Sequence, residues 1–146
     1  AMREHLVEIG HEEGIPFNFA AITRRPNTLD AHRLVRWAQG QGRGFAAKEA
    51  LFAAHFSDGR DIGDPEVLVS IAKAIGLDGD LIAGLLASDA AVDAVRAEEQ
   101  SFQGLGVSGV PTYIADRRYA LQGAESPERI QKLIAAARAA APEERA

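Results

Sequence analysis

The stretch of sequence that decides the fold is GVSGVPTYIADRRY, residues 106–119. Before it, apolar residues recur at helical spacing, and from Val110 onward they alternate with the two-residue period of a β-strand. Val110, Thr112 and Ile114 fall on one side of the predicted strand. The Asp-Arg-Arg run at 116–118 is typical of a tight turn into a second strand. The stretch therefore predicts a β-hairpin that follows a long helical region.

The sequence on either side of the hairpin is helical. Asn27 or Thr28 is a candidate N-cap of the second helix, an Asp-Pro pair at 64–65 starts the fourth, and a Ser-Pro pair at 126–127 starts the last. Residues 15–19 alternate in a way that fits a short strand or a loop. Six helices are predicted before the hairpin and one after it: 2–13, 28–39, 45–57, 65–75, 79–87, 89–105 and 127–140.

Apolar residues at helical spacing predict the core of this helical region. They are Leu29, Leu34, Trp37, Ala38, Phe45, Leu51, Phe52, Phe56, Val67, Leu68, Ile71, Ala72, Ile75, Leu81, Ile82, Leu85, Leu86, Val92, Val95, Phe102 and Leu105. The aromatic members Trp37, Phe45, Phe52 and Phe56 have a second interpretation, because they also suit the lining of a binding groove. A core position is the expected one for aromatic residues at this spacing.

Composition excludes several classes of function. The net charge of −5 argues against nucleic acid or an anionic membrane as the main partner. No apolar run is long enough to span a membrane and no signal pattern opens the chain, so a cytoplasmic location is predicted. The absence of cysteine excludes disulfides, thiolate metal sites and cysteine nucleophiles within these 146 residues. The four histidines show no i, i+4 pair, so no metal site is expected.

The predicted hairpin lacks a partner in the sequence. A two-stranded sheet is marginal in water and exposes unpaired main-chain groups along its edges. No other segment is a convincing third strand. The sequence thus predicts part of a sheet, with at least one edge that another segment must cover.

Three segments carry a family resemblance: PNTLDAHRL at 26–34, GRDIGDPEVL at 59–68 and GVSGVPTYIADRRYALQGAES at 106–126. Together they resemble the DsbA-like (FrnE-type) dithiol–disulfide oxidoreductases and isomerases of the thioredoxin superfamily. The resemblance implies an α/β thioredoxin-like fold with a helical insertion, mostly α as present. In that family, a strand–helix–strand segment that carries a Cys-x-x-Cys motif comes first. That segment is absent from these residues.

The resemblance also implies a domain division. Residues 1–105 correspond to the helical insertion and returning helix, and residues 106–141 to the C-terminal β–β–α part of a thioredoxin-like domain, with 142–146 as a tail. The implied partner is a thiol- or disulfide-bearing protein or small molecule, and no cofactor is expected. Because this chain has no cysteine, it is predicted to be a fragment that is inactive alone.

The implied substrate-binding residues are Val110, Pro111 and Thr112, with a cis peptide bond before the proline. The alternative is that this loop only starts an edge strand, where proline is tolerated. His32 lies in the family-like segment and is a weaker candidate for the same groove. A packed or capping histidine is the more ordinary explanation for it.

Two other functions stay open. One is a glutathione-dependent isomerase or transferase of the kappa or chromene-carboxylate type, with glutathione as cofactor and a nucleophile upstream of residue 1. The other is a non-catalytic helical binding module. In that case the open hairpin edge pairs with a second copy, and a homodimer is predicted for this reason.

Overall fold

The computed structural model describes residues 2–140, which form seven α-helices and one antiparallel β-hairpin. The chain divides into two compact units, the first ending at Ala97 and the second beginning at Glu98. The division falls inside the sixth helix. The helices are α1 (Met2–Glu12), α2 (Leu29–Gly40), α3 (Gly44–Phe52), α4 (Pro65–Ala74), α5 (Gly79–Leu86), α6 (Val92–Gly104) and α7 (Pro127–Ala139), and the strands are β1 (Thr112–Ala115) and β2 (Tyr119–Gln122). The domain boundary predicted after residue 105 stays a prediction, and the predicted tail lies outside the described residues.

The core of the first unit is formed by α2, α3, α4 and α5. Leu34, Leu68 and Ile82 are its largest fully buried side chains, one each from α2, α4 and α5. Around them lie smaller or less completely buried apolar residues: Ala31, Ala38, Ala47, Leu51, Ala54, Ile71, Ala72, Leu77 and Leu86. Five of these twelve core residues are alanines and seven are leucine or isoleucine.

Side-chain caps explain where these helices begin. The carboxylate of Asp64 accepts the Glu66 N–H at 2.9 Å, and that of Asp78 accepts the N–H groups of Asp80 and Leu81 at 3.0 Å each. Each carboxylate satisfies N–H groups that have no partner within the helix. At α2, Asn27 rather than Thr28 supplies the contact, since its Oδ1 accepts the Leu29 N–H at 3.0 Å.

The segment between α1 and α2 is a loop, which decides the alternative left open for residues 15–19. The rings of Phe17 and Phe19 stack with their centroids 5.2 Å apart, and both lie edge-on to Phe56. The N–H of Asn18 donates to the Phe56 carbonyl at 2.7 Å. Residues 17–19 are therefore fixed by aromatic packing and not by strand pairing.

The third helix reaches the predicted end near Ser57, but its last five residues differ in type. Residues Ala53–Ser57 form a π-helical turn that continues α3. Inside it, the buried Nδ1 of His55 has no hydrogen-bond partner within residues 2–140. The imidazole lies edge-on to Phe56, with centroids 4.8 Å apart.

The hairpin of the second unit has the predicted strands and turn. Thr112 pairs with Gln122 and Ala115 with Tyr119 in antiparallel register. Asp116 and Arg117 both have positive φ, 53° and 55°, which is the backbone of a type I′ turn. This turn matches the right-handed twist of the strands that it joins.

The last helix begins at the predicted Ser-Pro pair, but the serine acts differently from the prediction. Ser126 occupies the N-cap position and makes no side-chain bond to the helix backbone. Its side chain instead forms a hydrogen bond with the Glu128 carboxylate, and this bond, with one from the backbone N–H of Glu128, lowers the pKa of that carboxyl. An ion pair of 2.8 Å between Glu125 and Arg129 also spans the start of the helix.

Within the described residues, no helix is long and apolar enough to cross a membrane.

Candidate substrate-binding loop

The predicted substrate-facing residues lie in an exposed loop between α6 and β1. Val110 is 90% exposed, the largest fraction among the exposed large hydrophobic residues of the described chain. The peptide bond between Val110 and Pro111 is cis. Thr112, the third predicted residue, is half-buried and begins β1. The three residues therefore lie at a surface loop that presents an apolar residue to solvent, and their substrate-binding role stays a prediction.

Hydrogen bonds hold the loop on both sides of Val110. The Thr112 hydroxyl donates to the Gly109 carbonyl at 2.6 Å, and the Gly123 N–H donates to the Pro111 carbonyl at 2.8 Å. At the start of the loop, the Val107 N–H donates to the Phe102 carbonyl at 3.1 Å. Val110 is thus presented by a fixed backbone.

The main chain of Val110 is itself unpaired. Neither its N–H nor its C=O has a hydrogen-bond partner in the described part of the chain. Because the Gly123 N–H bonds the Pro111 carbonyl, the alternation of an antiparallel ladder turns the main-chain groups of Thr112 and Ile114 away from β2. An open hydrogen-bonding edge therefore continues from the loop along β1.

One face of the hairpin is open as well. By strand alternation, Tyr113, Ala115, Tyr119 and Leu121 share a face, and all of them except the exposed Tyr113 are half-buried. The helix α7 contacts both strands, and this burial pattern places it on that face. On the opposite face, Ile114 and Ala120 are exposed. No charged residue protects the open face or the open edge within β1 and β2.

The chemistry of the loop is that of a binding surface. Residues 105–115 contain no Asp, Glu, His, Lys or Arg, and the chain has no cysteine. The Ser108 hydroxyl accepts a hydrogen bond from the Gln122 side-chain amide at 3.4 Å, and no hydrogen bond joins it to a histidine or a carboxylate of the described residues. A serine nucleophile needs an activating base. The loop therefore offers main-chain groups and an apolar side chain to an extended main chain.

His32, the weaker candidate, is exposed on α2 in the first unit, whereas the loop belongs to the second. Its backbone N–H donates to the Thr28 carbonyl at 3.0 Å in the first turn of α2. A substrate-binding role for His32 stays a prediction. No group of three or more His, Cys, Asp or Glu residues is placed to hold a metal ion in residues 2–140.

The predicted core is wrong at several apolar positions. Phe45 and Phe52 lie seven residues, or two helical turns, apart on α3 and are 79% and 59% exposed. Leu81, Phe102 and Leu105 are exposed too. The helical period identified an apolar face on each helix correctly, but no described element covers these positions. Trp37 is half-buried beside the Arg33 guanidinium, whose carbon lies 5.1 Å from the centroid of the indole.

The sequence prediction also missed Arg33, the buried charged residue of the described chain. The available signal was Asp30, one helical turn earlier in the same family-like segment. An i, i+3 pair of opposite charge on a helix is, however, most often exposed.

Comparison with known proteins gives the family. A family model described as the DSBA-like thioredoxin domain matches residues 1–135 of this chain. The chain therefore belongs to the DSBA-like thioredoxin domain family. This confirms the predicted DsbA-like relationship within the thioredoxin superfamily, together with the mostly helical thioredoxin-like fold.

Two particular proteins show how far the similarity reaches. The crystal structure of a probable DsbA oxidoreductase from Streptomyces coelicolor matches with a TM-score of 0.87 and 31% sequence identity, over 98% of this chain and 62% of that chain. The uncharacterized protein YwbO from Bacillus subtilis (strain 168) is 28% identical over 102 residues, 69% of this chain and 51% of YwbO. This chain thus spans about half the length of the curated relative that it matches.

Proposed function

We propose that this chain supplies the helical region and the substrate-facing loop of a FrnE-type thiol–disulfide oxidoreductase or isomerase. Membership of the DSBA-like family supports this proposal, and so does the similarity to the solved structure of a probable DsbA oxidoreductase. The observation that carries the proposal is the exposed Val110, whose main-chain N–H and C=O are both unpaired. Such a residue can pair with an extended substrate that adds as a strand.

The proposed reaction needs a thiol that this chain does not contain. A thiolate attacks one sulfur of a disulfide, a mixed disulfide forms, and the other substrate sulfur leaves as a thiolate. A second thiolate then resolves the mixed disulfide, so that two electrons have passed from the dithiol to the substrate. The reverse sequence oxidises a substrate dithiol. In this account the dithiol comes from a segment outside these residues, and the chain alone is inactive.

The substrate-binding part of the proposal is testable by NMR. We expect a capped, extended peptide to shift the ¹⁵N–¹H signals of Gly109, Val110 and Thr112, with a dissociation constant in about the millimolar range because only a few main-chain hydrogen bonds form. A matched peptide with N-methylated central residues cannot add as a strand. It should leave these signals unchanged.

Two variants sharpen this test. Val110→Ala keeps the main-chain donor and acceptor, so it should bind the peptide as the parent chain does. Val110→Pro removes the donor, and the shifts should disappear. The proposal is contradicted if saturating peptide leaves the loop signals unmoved, if the N-methylated peptide binds equally well, or if both variants behave alike.

A second candidate function is a self-associating binding module without catalytic activity. The uncharged open edge of β1 favours it, since natural sheets usually protect such an edge with charge, proline or a covering element. Pairing of β1 with the same strand of a second copy would give a continuous four-stranded sheet across a two-fold axis.

Self-association is checked by sedimentation with two matched variants. Ile114 and Ile134 are similarly exposed, the first on β1 and the second on α7. We expect the parent chain to sediment as a dimer. Ile114→Lys should weaken the dimer at least about tenfold, because a charged side chain on an edge strand opposes pairing with a second strand. Ile134→Lys should leave the dimer intact. A monomeric parent chain, or equal dissociation by both lysines, would exclude pairing through β1.

A further inference from the structure

The side chain of Arg33 is a buried cation that the proposed function does not use. The residue lies on α2 and is 2% exposed. Its guanidinium reaches the end of α5, where Nη2 donates to the Leu85 carbonyl at 2.7 Å and Nη1 approaches the Leu86 carbonyl at 3.4 Å. The last carbonyls of a helix lack partners within it and carry partial negative charge. Arg33 therefore satisfies the C-terminus of α5.

The same guanidinium also holds the turn that follows. Nη2 donates to the Ser88 carbonyl at 2.6 Å and Nε to the Ala90 carbonyl at 2.8 Å. Within residues 2–140, no other donor reaches either oxygen. The planar fork of arginine suits such divergent acceptors, whereas lysine presents a single point charge. One side chain on α2 thus fixes residues 85–91, named here the α5–α6 joint.

The charge of Arg33 is balanced within the first unit. Asp30 accepts from Nη1 at 2.8 Å, and the Trp37 ring faces the guanidinium. The Asp30 carboxylate is partly exposed, while the arginine side chain is almost fully buried. Removal of the arginine would leave the partly buried carbonyls of Ser88 and Ala90 without a donor in the described part of the chain. That loss is more costly than the loss of the ion pair with the partly exposed Asp30.

The backbone of the joint needs an external restraint. Ala91 has φ of 64°, a left-handed conformation that a non-glycine residue adopts only when its surroundings hold it there. Arg33 binds the carbonyls of Ser88 and Ala90, directly before Ala91. Val92, the next residue, begins α6. The restraint is therefore applied directly before the first residue of α6.

We infer that Arg33 is a lock on the α5–α6 joint: its carbonyl contacts hold the left-handed turn closed, and without them the joint opens while the helical core stays folded. The lock acts at the N-terminal end of α6, the helix that precedes the candidate loop in the sequence. It is independent of what that loop binds.

Native-state hydrogen exchange of Arg33→Lys tests the lock. The joint amides are those of Ser88, Val92 and Val95, which bond carbonyls of the joint. The reference amides are those of Leu68 on α4 and Ile75 directly after it. We expect the joint amides to exchange about 100-fold faster in the variant, because charge-assisted bonds to several carbonyls are lost. The reference amides should change little. Arg96→Lys, an exposed change on α6, is the matched control and should alter neither set.

Asp30→Asn is a second, milder variant that keeps Arg33 and an oxygen acceptor beside it. It should speed exchange at the joint less than about tenfold, since the carbonyl contacts remain. The inference is overturned if Arg33→Lys speeds joint and reference amides by the same factor, if it changes neither, or if Asp30→Asn opens the joint as far as Arg33→Lys does.

Discussion

Replacement of Leu34 by alanine is expected to lower the free energy of unfolding by about 2–5 kcal/mol. Leu34 is 0% exposed and lies on α2, at the centre of the core that α3, α4 and α5 complete. The substitution removes buried methyl groups and leaves a cavity that the surrounding helices fill only partly. Urea unfolding followed by the fluorescence of Trp37, the single tryptophan of the chain, measures the change in the same unit.

Leu81→Ala is the matched control for this prediction. Leu81 lies on α5 and is exposed, so the same chemical change should alter stability by only about 0.5 kcal/mol. Equal losses in the two variants, or no loss in Leu34→Ala, would show that the core is assembled differently.

Replacement of Gly59 by alanine is expected to destabilise the first unit by about 3 kcal/mol. Gly59 has φ of 67°, and a Cβ there would lie 2.5 Å from the backbone oxygen of Ala21. The left-handed backbone and the overlap both oppose a side chain. The turn after the π-helical segment therefore approaches the loop before α2 so closely that only glycine fits. The same fluorescence measurement reports the loss.

Gly42→Ala separates the two causes. Gly42 has a nearly identical φ of 69°, but a Cβ there meets no atom within 4 Å. Its substitution by alanine should lower the free energy of unfolding by only about 1 kcal/mol, the cost of the left-handed backbone for a residue with a Cβ. If Gly59→Ala lowers the free energy of unfolding no more than Gly42→Ala does, the backbone of Ala21 does not exclude a side chain at residue 59.

Much of the fold was predictable because local chemistry determines it. The Asp64-Pro65 pair begins a helix in the structure, and the alternation after Val110 gives the hairpin. Asp116 and Arg117 form the expected turn without glycine. These signals act over a few residues, so a single sequence contains all the information that they need.

The errors come from features that depend on a distant partner. Periodicity gives Phe45 and Phe52 an apolar face on α3, but it does not tell whether another element covers that face. Ser126 was predicted to cap α7, but its side chain bonds the Glu128 side chain instead of the helix backbone. Here the sequence does not tell which of two nearby partners the hydroxyl takes. Arg33 is buried because carbonyls more than fifty residues away converge on it.

The candidate site was predictable in position but not in its surroundings. The residues around Val110 marked the loop, and the family resemblance gave it a role. The hydrogen bonds that fix Gly109 and Pro111 and leave Val110 unpaired follow from the strand register, which the sequence does not specify.

The central claim is that this chain works together with a dithiol that its own residues lack. Thiol-alkylation mass spectrometry of the protein as its source cell makes it tests that claim most directly. The account predicts a polypeptide that contains this sequence and, before it, two alkylatable cysteines in a Cys-x-x-Cys motif that become protected on mild oxidation. A polypeptide that begins at Met2 and takes up no alkylating agent would contradict it.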